Sequence, residues 1–211
     1  MEKNYFKYIH PGILVSLIIV LGLVIELVTD WLFPIINQYL SNPYLKFPST
    51  VVVVSGIMFL IDEFLWNCPP FKWLYRVDDF SGTYEGVIEY QYLDRKKNLK
   101  TGRKRQVKVI RQSGSKIAIS TKTYDENGEL SSPSVNQNMY VEKCKSGNGY
   151  TLIYNYLNDG KHLSKNLNTH FGTEILKFEK DGKVKKLSGR YYTERDPYMS
   201  KGILKDFISK K

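Results

Sequence analysis

The chain has 211 residues, a formal net charge of +10 and a 42% share of hydrophobic residues. It contains only two cysteines and three histidines, none at the spacing of a disulfide framework, a metal site or a catalytic triad. We therefore expect that the protein is not an enzyme and that it binds no metal and no cofactor. The positive charge comes without a helix-turn-helix, zinc-finger or RNA-recognition signature, which argues against a nucleic-acid polymer as partner.

Two apolar segments come first in chain order, at about 12–36 and 50–66. About 20 apolar residues, rising ~1.5 Å each, cross a hydrocarbon core of about 30 Å. The first segment exceeds this length, and the second is at the short end. The first also lacks the small-residue cleavage site of a signal peptide, and its 13–25 stretch has no polar face that a soluble helix would need. Residues 1–68 are therefore predicted to form a two-helix transmembrane hairpin.

The sidedness of this hairpin follows from the basic residues near its ends. Lys3, Lys7, Lys72 and Arg76 flank the two segments, whereas the intervening loop carries only Lys46. Basic residues concentrate on the cytoplasmic side of membranes. We expect a two-pass protein whose termini and following soluble domain are all cytoplasmic, with residues 69–77 as a linker.

Two acidic residues interrupt the first apolar segment. Glu26 lies about 14 residues into it, so roughly 21 Å along the helix axis, and Asp30 follows one turn later. Intramembrane acids are costly and usually face protein or water. Glu26 either lines a hydrated path in an oligomer or extends with Asp30 toward the far headgroups.

Residues 78–211 show the period-two alternation of antiparallel strands, broken by turns rich in Gly, Asn and Asp. Such short turns, with no helical pattern between them, favour an eight-stranded antiparallel up-and-down β-barrel of the lipocalin-like kind, which leaves no exposed strand edge. The whole chain is thus predicted to be a membrane-anchored all-β protein. The predicted strands are 82–93, 104–112, 115–124, 130–143, 150–157, 170–180, 183–194 and 201–208.

A run of basic residues at 95–111 is the densest charge in this domain. It is compatible with a solvated hairpin loop at 96–101, with attraction to anionic lipid headgroups, or with electrostatic guidance of an anionic ligand.

Alternation also assigns side chains to the inside of the barrel. One parity of the first, fifth and seventh strands places hydroxyls, aromatic rings and a guanidinium in the lumen: Tyr84, Tyr154, Tyr156, Tyr191, Thr193 and Arg195. Packing alone can explain a strand tyrosine, and Arg195 can instead pair with Glu194 or Asp196. The polar alternative is a ligand pocket.

Several motifs in this order, 79–86, 152–156, 170–173, 187–195 and 200–202, follow the apolar pair. The arrangement resembles the two-transmembrane β-strand-rich effectors of bacterial cyclic-oligonucleotide anti-phage signalling (CBASS). The resemblance implies a barrel that binds a cyclic dinucleotide, after which the hairpins self-associate in the lipid bilayer, disrupt the bacterial inner membrane and kill the cell.

With that ligand, cationic and hydroxyl groups would bind phosphates, and aromatic rings would stack on bases. The predicted ligand contacts are Tyr84, Tyr154, Tyr156, His170, Tyr191, Thr193, Arg195 and, as a second phosphate ligand, Lys201. Two alternatives are a membrane-anchored lipocalin-like binder of a lipid or other small apolar molecule, and a structural tether whose basic surface holds an acidic partner.

Overall fold

The computed structural model describes residues 5–39, 49–144, 149–159, 169–194 and 199–210. The chain divides into two compact units. Asp79–Gln112 and Ile117–Lys211 form one unit, and Glu2–Asp78 with Ser113–Lys116 form the other. The first is built of strands, and the second is mostly helical.

The N-terminal unit contains one long apolar helix. After a short α1 (Tyr5–Tyr8), α2 (Pro11–Tyr39) begins at a proline, which is favoured at the first helical position. Large apolar side chains cover its surface, and Leu27 is 71% exposed. Within the described part of the chain, the 11–35 stretch is the one helix long and apolar enough to cross a membrane. An apolar surface of this extent needs lipid or a protein partner.

The second apolar segment is shorter than the first. α3 (Thr50–Leu60) has 11 residues and continues into a five-residue π-helical turn (Ile61–Leu65), before the short α4 (Pro69–Lys72). Leu14 near the start of α2 belongs to the same buried cluster as Ile61, which directly follows α3, so the two helices run antiparallel. That α3 also crosses the membrane stays a prediction.

Eight antiparallel strands close into a barrel in which each strand pairs with its neighbour in sequence and β1 pairs with β8. The predicted up-and-down barrel is therefore confirmed. The strands are β1 (Gly82–Leu93), β2 (Leu99–Gln112), β3 (Ile117–Tyr124), β4 (Leu130–Lys143), β5 (Tyr150–Asn158), β6 (His170–Asp181), β7 (Val184–Glu194) and β8 (Ser200–Lys210).

The largest difference from the predicted strands is at the start of β2, which begins at Leu99 instead of residue 104. The chain reverses in a tight turn because the Asp94 carboxylate accepts hydrogen bonds from the backbone N–H groups of Lys96 and Asn98, at 2.8 and 2.9 Å. Lys97 takes the positive φ that the turn needs. Residues 99–101 of the predicted loop at 96–101 are thus part of β2, and the basic side chains of β2 lie on both of its sides.

The two halves of the barrel interior differ in chemistry. Around the start of β1 the lumen is filled by apolar side chains, with Phe80 packed edge-on against Tyr150 and Phe178. Gly86 leaves room for the Phe207 ring, because a Cβ there would lie 2.4 Å from Phe207 Cδ2. Burial of each such side chain contributes about 1.5–3 kcal/mol. This half is a packed core, and the other half is a cavity.

Candidate functional site

A cavity of about 420 Å³ occupies the half of the lumen bounded by the end of β1 and the start of β2. Pockets for small ligands typically measure about 300–1,000 Å³. Hydroxyl groups line it from Thr123, Ser131, Ser132, Ser134, Thr193 and Ser200. Rings and charged groups line it from Tyr90, Tyr92, Tyr156, His170, Tyr191, Asp94, Lys104 and Glu174.

Glycines on neighbouring strands keep three of these rings against the barrel wall. A Cβ at Gly172 would lie 2.3 Å from Tyr156 Cζ, and one at Gly202 would lie 2.6 Å from Tyr191 Cε1. Gly102 has the same relation to Tyr90. Because each ring packs against a glycine of the neighbouring strand, the ring lies close to the barrel wall. The ring face then lines the lumen, and the centre of the lumen stays open.

The floor of the cavity is a buried ionic network. Lys108 is 0% exposed, and its Nζ donates to Glu174 Oε2 at 2.7 Å and to Oε1 at 3.0 Å. The Tyr154 hydroxyl donates to the same Oε2, and Thr121 Oγ1 lies 3.3 Å from Lys108 Nζ. Of these residues Glu174 reaches the cavity surface. The network therefore fixes Glu174 at the cavity floor, where Lys108 and Tyr154 bind its carboxylate.

Burial sets the protonation of the groups around this floor. It lowers the pKa of the Lys108 ammonium, and the adjacent Glu174 carboxylate opposes that lowering. It also raises the pKa of the Tyr156 hydroxyl, with a further contribution from the Glu174 charge, and raises the pKa of Tyr191. Both tyrosine hydroxyls are thus protonated at neutral pH and available as donors to an anion.

Nearer the mouth, a cation is held beside an aromatic ring. Lys104 Nζ donates to Ser131 Oγ at 3.1 Å and lies 5.8 Å from the centre of the Tyr90 ring. Gln106 is placed one step deeper on β2, where its Nε2 donates to Thr123 Oγ1 at 3.1 Å. The lumen is therefore graded, with the Lys104 charge toward the mouth and the Lys108–Glu174 ion pair at the floor.

The structure brings four of the sequence-predicted residues together around the cavity: Tyr156, His170, Tyr191 and Thr193. Tyr154 belongs to the floor network directly below. The predicted inward parity of the first, fifth and seventh strands matches this arrangement.

The remaining predicted residues lie elsewhere. Tyr84 is in the apolar half, where its hydroxyl donates to the Phe80 carbonyl at 2.7 Å. Lys201 pairs with Tyr192 and is exposed on the outside of the barrel. Arg195 falls outside the described residues. Glu26 and Asp30 are exposed on α2.

Sequence reasoning missed the residues that β2 contributes. Lys104, Gln106 and Lys108 face inward, whereas Val107 and Val109 occupy the opposite face. β-Branched residues usually face the inside of a barrel, so alternation on β2 favours Val107 and Val109 as the inward residues, which is the wrong side. The signal was the basic run itself, in which Lys100, Lys104 and Lys108 recur at every fourth position on the face opposite the valines.

A closed antiparallel barrel with a cavity of this size, lined by hydroxyls, rings and a lysine, defines a receptor for a small polar ligand. The family model described as Cap15, cyclic dinucleotide receptor domain, matches residues 75–205. The chain belongs to this family, whose domain is that of a CBASS effector that senses a cyclic dinucleotide. The resemblance stated from the sequence is confirmed. The comparisons with curated proteins and with solved structures give no match.

Proposed function

We propose that this protein is a membrane effector of cyclic-oligonucleotide anti-phage signalling whose barrel binds a cyclic dinucleotide in the graded cavity. Ligand binding drives self-association of two-pass transmembrane hairpins in the bacterial inner membrane, and the assembled hairpins disrupt that membrane and kill the cell. The observation that carries the proposal is the cavity itself, which offers cation, hydroxyl and aromatic groups in the domain that belongs to the receptor family.

Each ligand group has a matching side chain in the cavity. Lys104 and the neighbouring serine hydroxyls suit a phosphate, because charge-assisted hydrogen bonds are about twice as strong as neutral ones. The rings of Tyr156 and Tyr191 suit bases, since stacking on an aromatic side chain contributes about 1–3 kcal/mol per base. The polar lining argues against the alternative of a lipid or other apolar ligand.

The membrane segment supplies the output of the proposed mechanism. α2 and α3 both carry large exposed apolar side chains, including Leu27 and, on α3, Val51. Glu26 and Asp30 are exposed on α2 and would be costly facing lipid tails. Association of hairpins would turn these acids toward protein or water. The lower free energy of the acids in that environment would favour the assembled state.

Dye release from liposomes that contain the full chain tests this function. A cyclic dinucleotide added from a panel should release the dye, and the effect should need the inward Tyr191 but not the outward Tyr192. Tyr191→Leu should shift the ligand concentration for half-release upward by about 10- to 100-fold. Tyr192→Leu, an adjacent strand residue that is 46% exposed, is the matched control. Release without ligand, or equal effects of the two substitutions, would refute the proposal.

A further inference from the structure

Just above the cavity floor, the described residues include an acceptor with no partner. Gln106 is 6% exposed, lines the cavity, and its Oε1 has no hydrogen-bond partner among the residues the structure describes. The Nε2 of the same amide is engaged by Thr123 at 3.1 Å, which fixes the side chain with its oxygen unpaired. A buried polar atom left unsatisfied costs free energy unless a ligand or water completes it.

Glu174 supplies a second acceptor at the floor. A carboxylate has about four lone-pair sites, two on each oxygen. Lys108 and Tyr154 occupy both sites of Oε2, whereas Oε1 accepts only the 3.0 Å bond from Lys108 among the described contacts. A lone-pair site on Oε1 is therefore available, and Glu174 reaches the cavity surface.

We propose that Gln106 Oε1 and Glu174 Oε1 determine base specificity by binding the exocyclic amino group of one base of the ligand. This inference rests on the proposed function and specifies that the cavity prefers bases with an exocyclic amino group. An amino group offers two N–H donors, which suits two fixed acceptors. Uracil in place of cytosine, or hypoxanthine in place of adenine, would turn a carbonyl oxygen toward two acceptors. Hypoxanthine in place of guanine would lack the donor, so uracil and hypoxanthine are disfavoured.

The gradation of the lumen orients the ligand accordingly. Lys104 near the mouth attracts the phosphates, whereas at the floor the Lys108 ammonium is already paired with the Glu174 carboxylate and gives them no comparable attraction. One base therefore enters first and reaches the floor. The rings of Tyr156 and Tyr191 flank its path. The floor of the cavity therefore recognises one of the two bases of the dinucleotide, and the other base stays nearer the mouth.

Calorimetric titration of the full chain in detergent micelles with matched dinucleotides tests the specificity. Cyclic di-AMP and cyclic di-GMP each have cyclic di-IMP as the counterpart without the amino group, and cyclic di-CMP has cyclic di-UMP. We expect the best-binding amino dinucleotide to bind at least 10-fold more tightly than its counterpart, because a site built for a hydrogen bond rejects the analogue that lacks it.

Gln106→Met, which keeps the side-chain length and removes the acceptor, should weaken the amino ligand about 10-fold and leave its counterpart nearly unchanged. The circular dichroism spectrum of each variant checks its fold. Equal affinities of the wild type for amino and counterpart ligands would overturn this inference and leave the proposed function standing. Failure of the wild type to bind any dinucleotide would overturn both. The wild-type ratio decides the matter even where the variant does not fold.

Discussion

Removal of the Lys108 ammonium from the cavity floor should destabilise the barrel severely. Lys108 is fully buried with Glu174, and Lys108→Met leaves that carboxylate buried with only the Tyr154 hydroxyl from the network. Breaking a buried ion pair by removing one partner costs about 3–5 kcal/mol, a large share of the roughly 5–15 kcal/mol that stabilises a domain. Glu174→Leu should cost a similar amount, because it leaves the ammonium unpaired.

The double variant separates the pairing from the packing. With Lys108→Met and Glu174→Leu together, neither charge is buried, and apolar replacement of a buried pair is often neutral or stabilising. We expect its free energy of unfolding to lie within about 1–2 kcal/mol of the wild type, so the double variant should fall short of the sum of the two single costs by at least about 4 kcal/mol.

Urea unfolding of the full chain in detergent micelles measures these free energies. The circular dichroism of the strands reports the barrel. Tryptophan fluorescence reports the other unit, because Trp31, Trp66 and Trp73 all lie there. If each single variant costs less than about 1 kcal/mol, or if the costs add in the double variant, the buried pair does not organise the floor and this reasoning is refuted.

Two further predictions concern the cavity wall and the membrane. Gly172→Ala places a Cβ 2.3 Å from Tyr156 Cζ, so the ring must move into the lumen. We expect a loss of about 1–3 kcal/mol in stability and weaker ligand binding by calorimetry; unchanged affinity would show that the ring is not part of the site. For the topology, a membrane-impermeant maleimide should label Ser41→Cys in intact spheroplasts and the native Cys144 only after lysis. Labelling of Cys144 in intact cells would contradict the cytoplasmic location of the barrel.

The barrel was predictable from the sequence because most of its strands follow simple rules. β1, β5 and β7 alternate regularly, and turns such as Asp181–Gly182 mark where the chain reverses. Inward parity in these strands correctly placed Tyr156 and Tyr191 in the lumen. The positions of strands depend on local alternation and turn residues, which are visible in a single sequence.

The floor of the site was not predictable by the same rules. Lys108 faces inward although Val107 and Val109 flank it, and its ion pair with Glu174 on β6 makes that placement tolerable. Glu174 is 66 residues away from Lys108 in sequence, so nothing local links the two. The turn that starts β2 early depends on the Asp94 side chain, which alternation does not detect.

Direct binding of a cyclic dinucleotide inside the barrel is the central claim, and calorimetric titration of the full chain with a dinucleotide panel tests it most directly. Two strand tyrosines provide the comparison: Tyr156 lines the cavity, whereas Tyr140 is 55% exposed outside it. We predict that one dinucleotide binds saturably, that Tyr156→Leu weakens it by about 10- to 100-fold, and that Tyr140→Leu leaves it unchanged. Absence of binding by the folded wild-type chain, or equal losses in the two variants, would contradict the account.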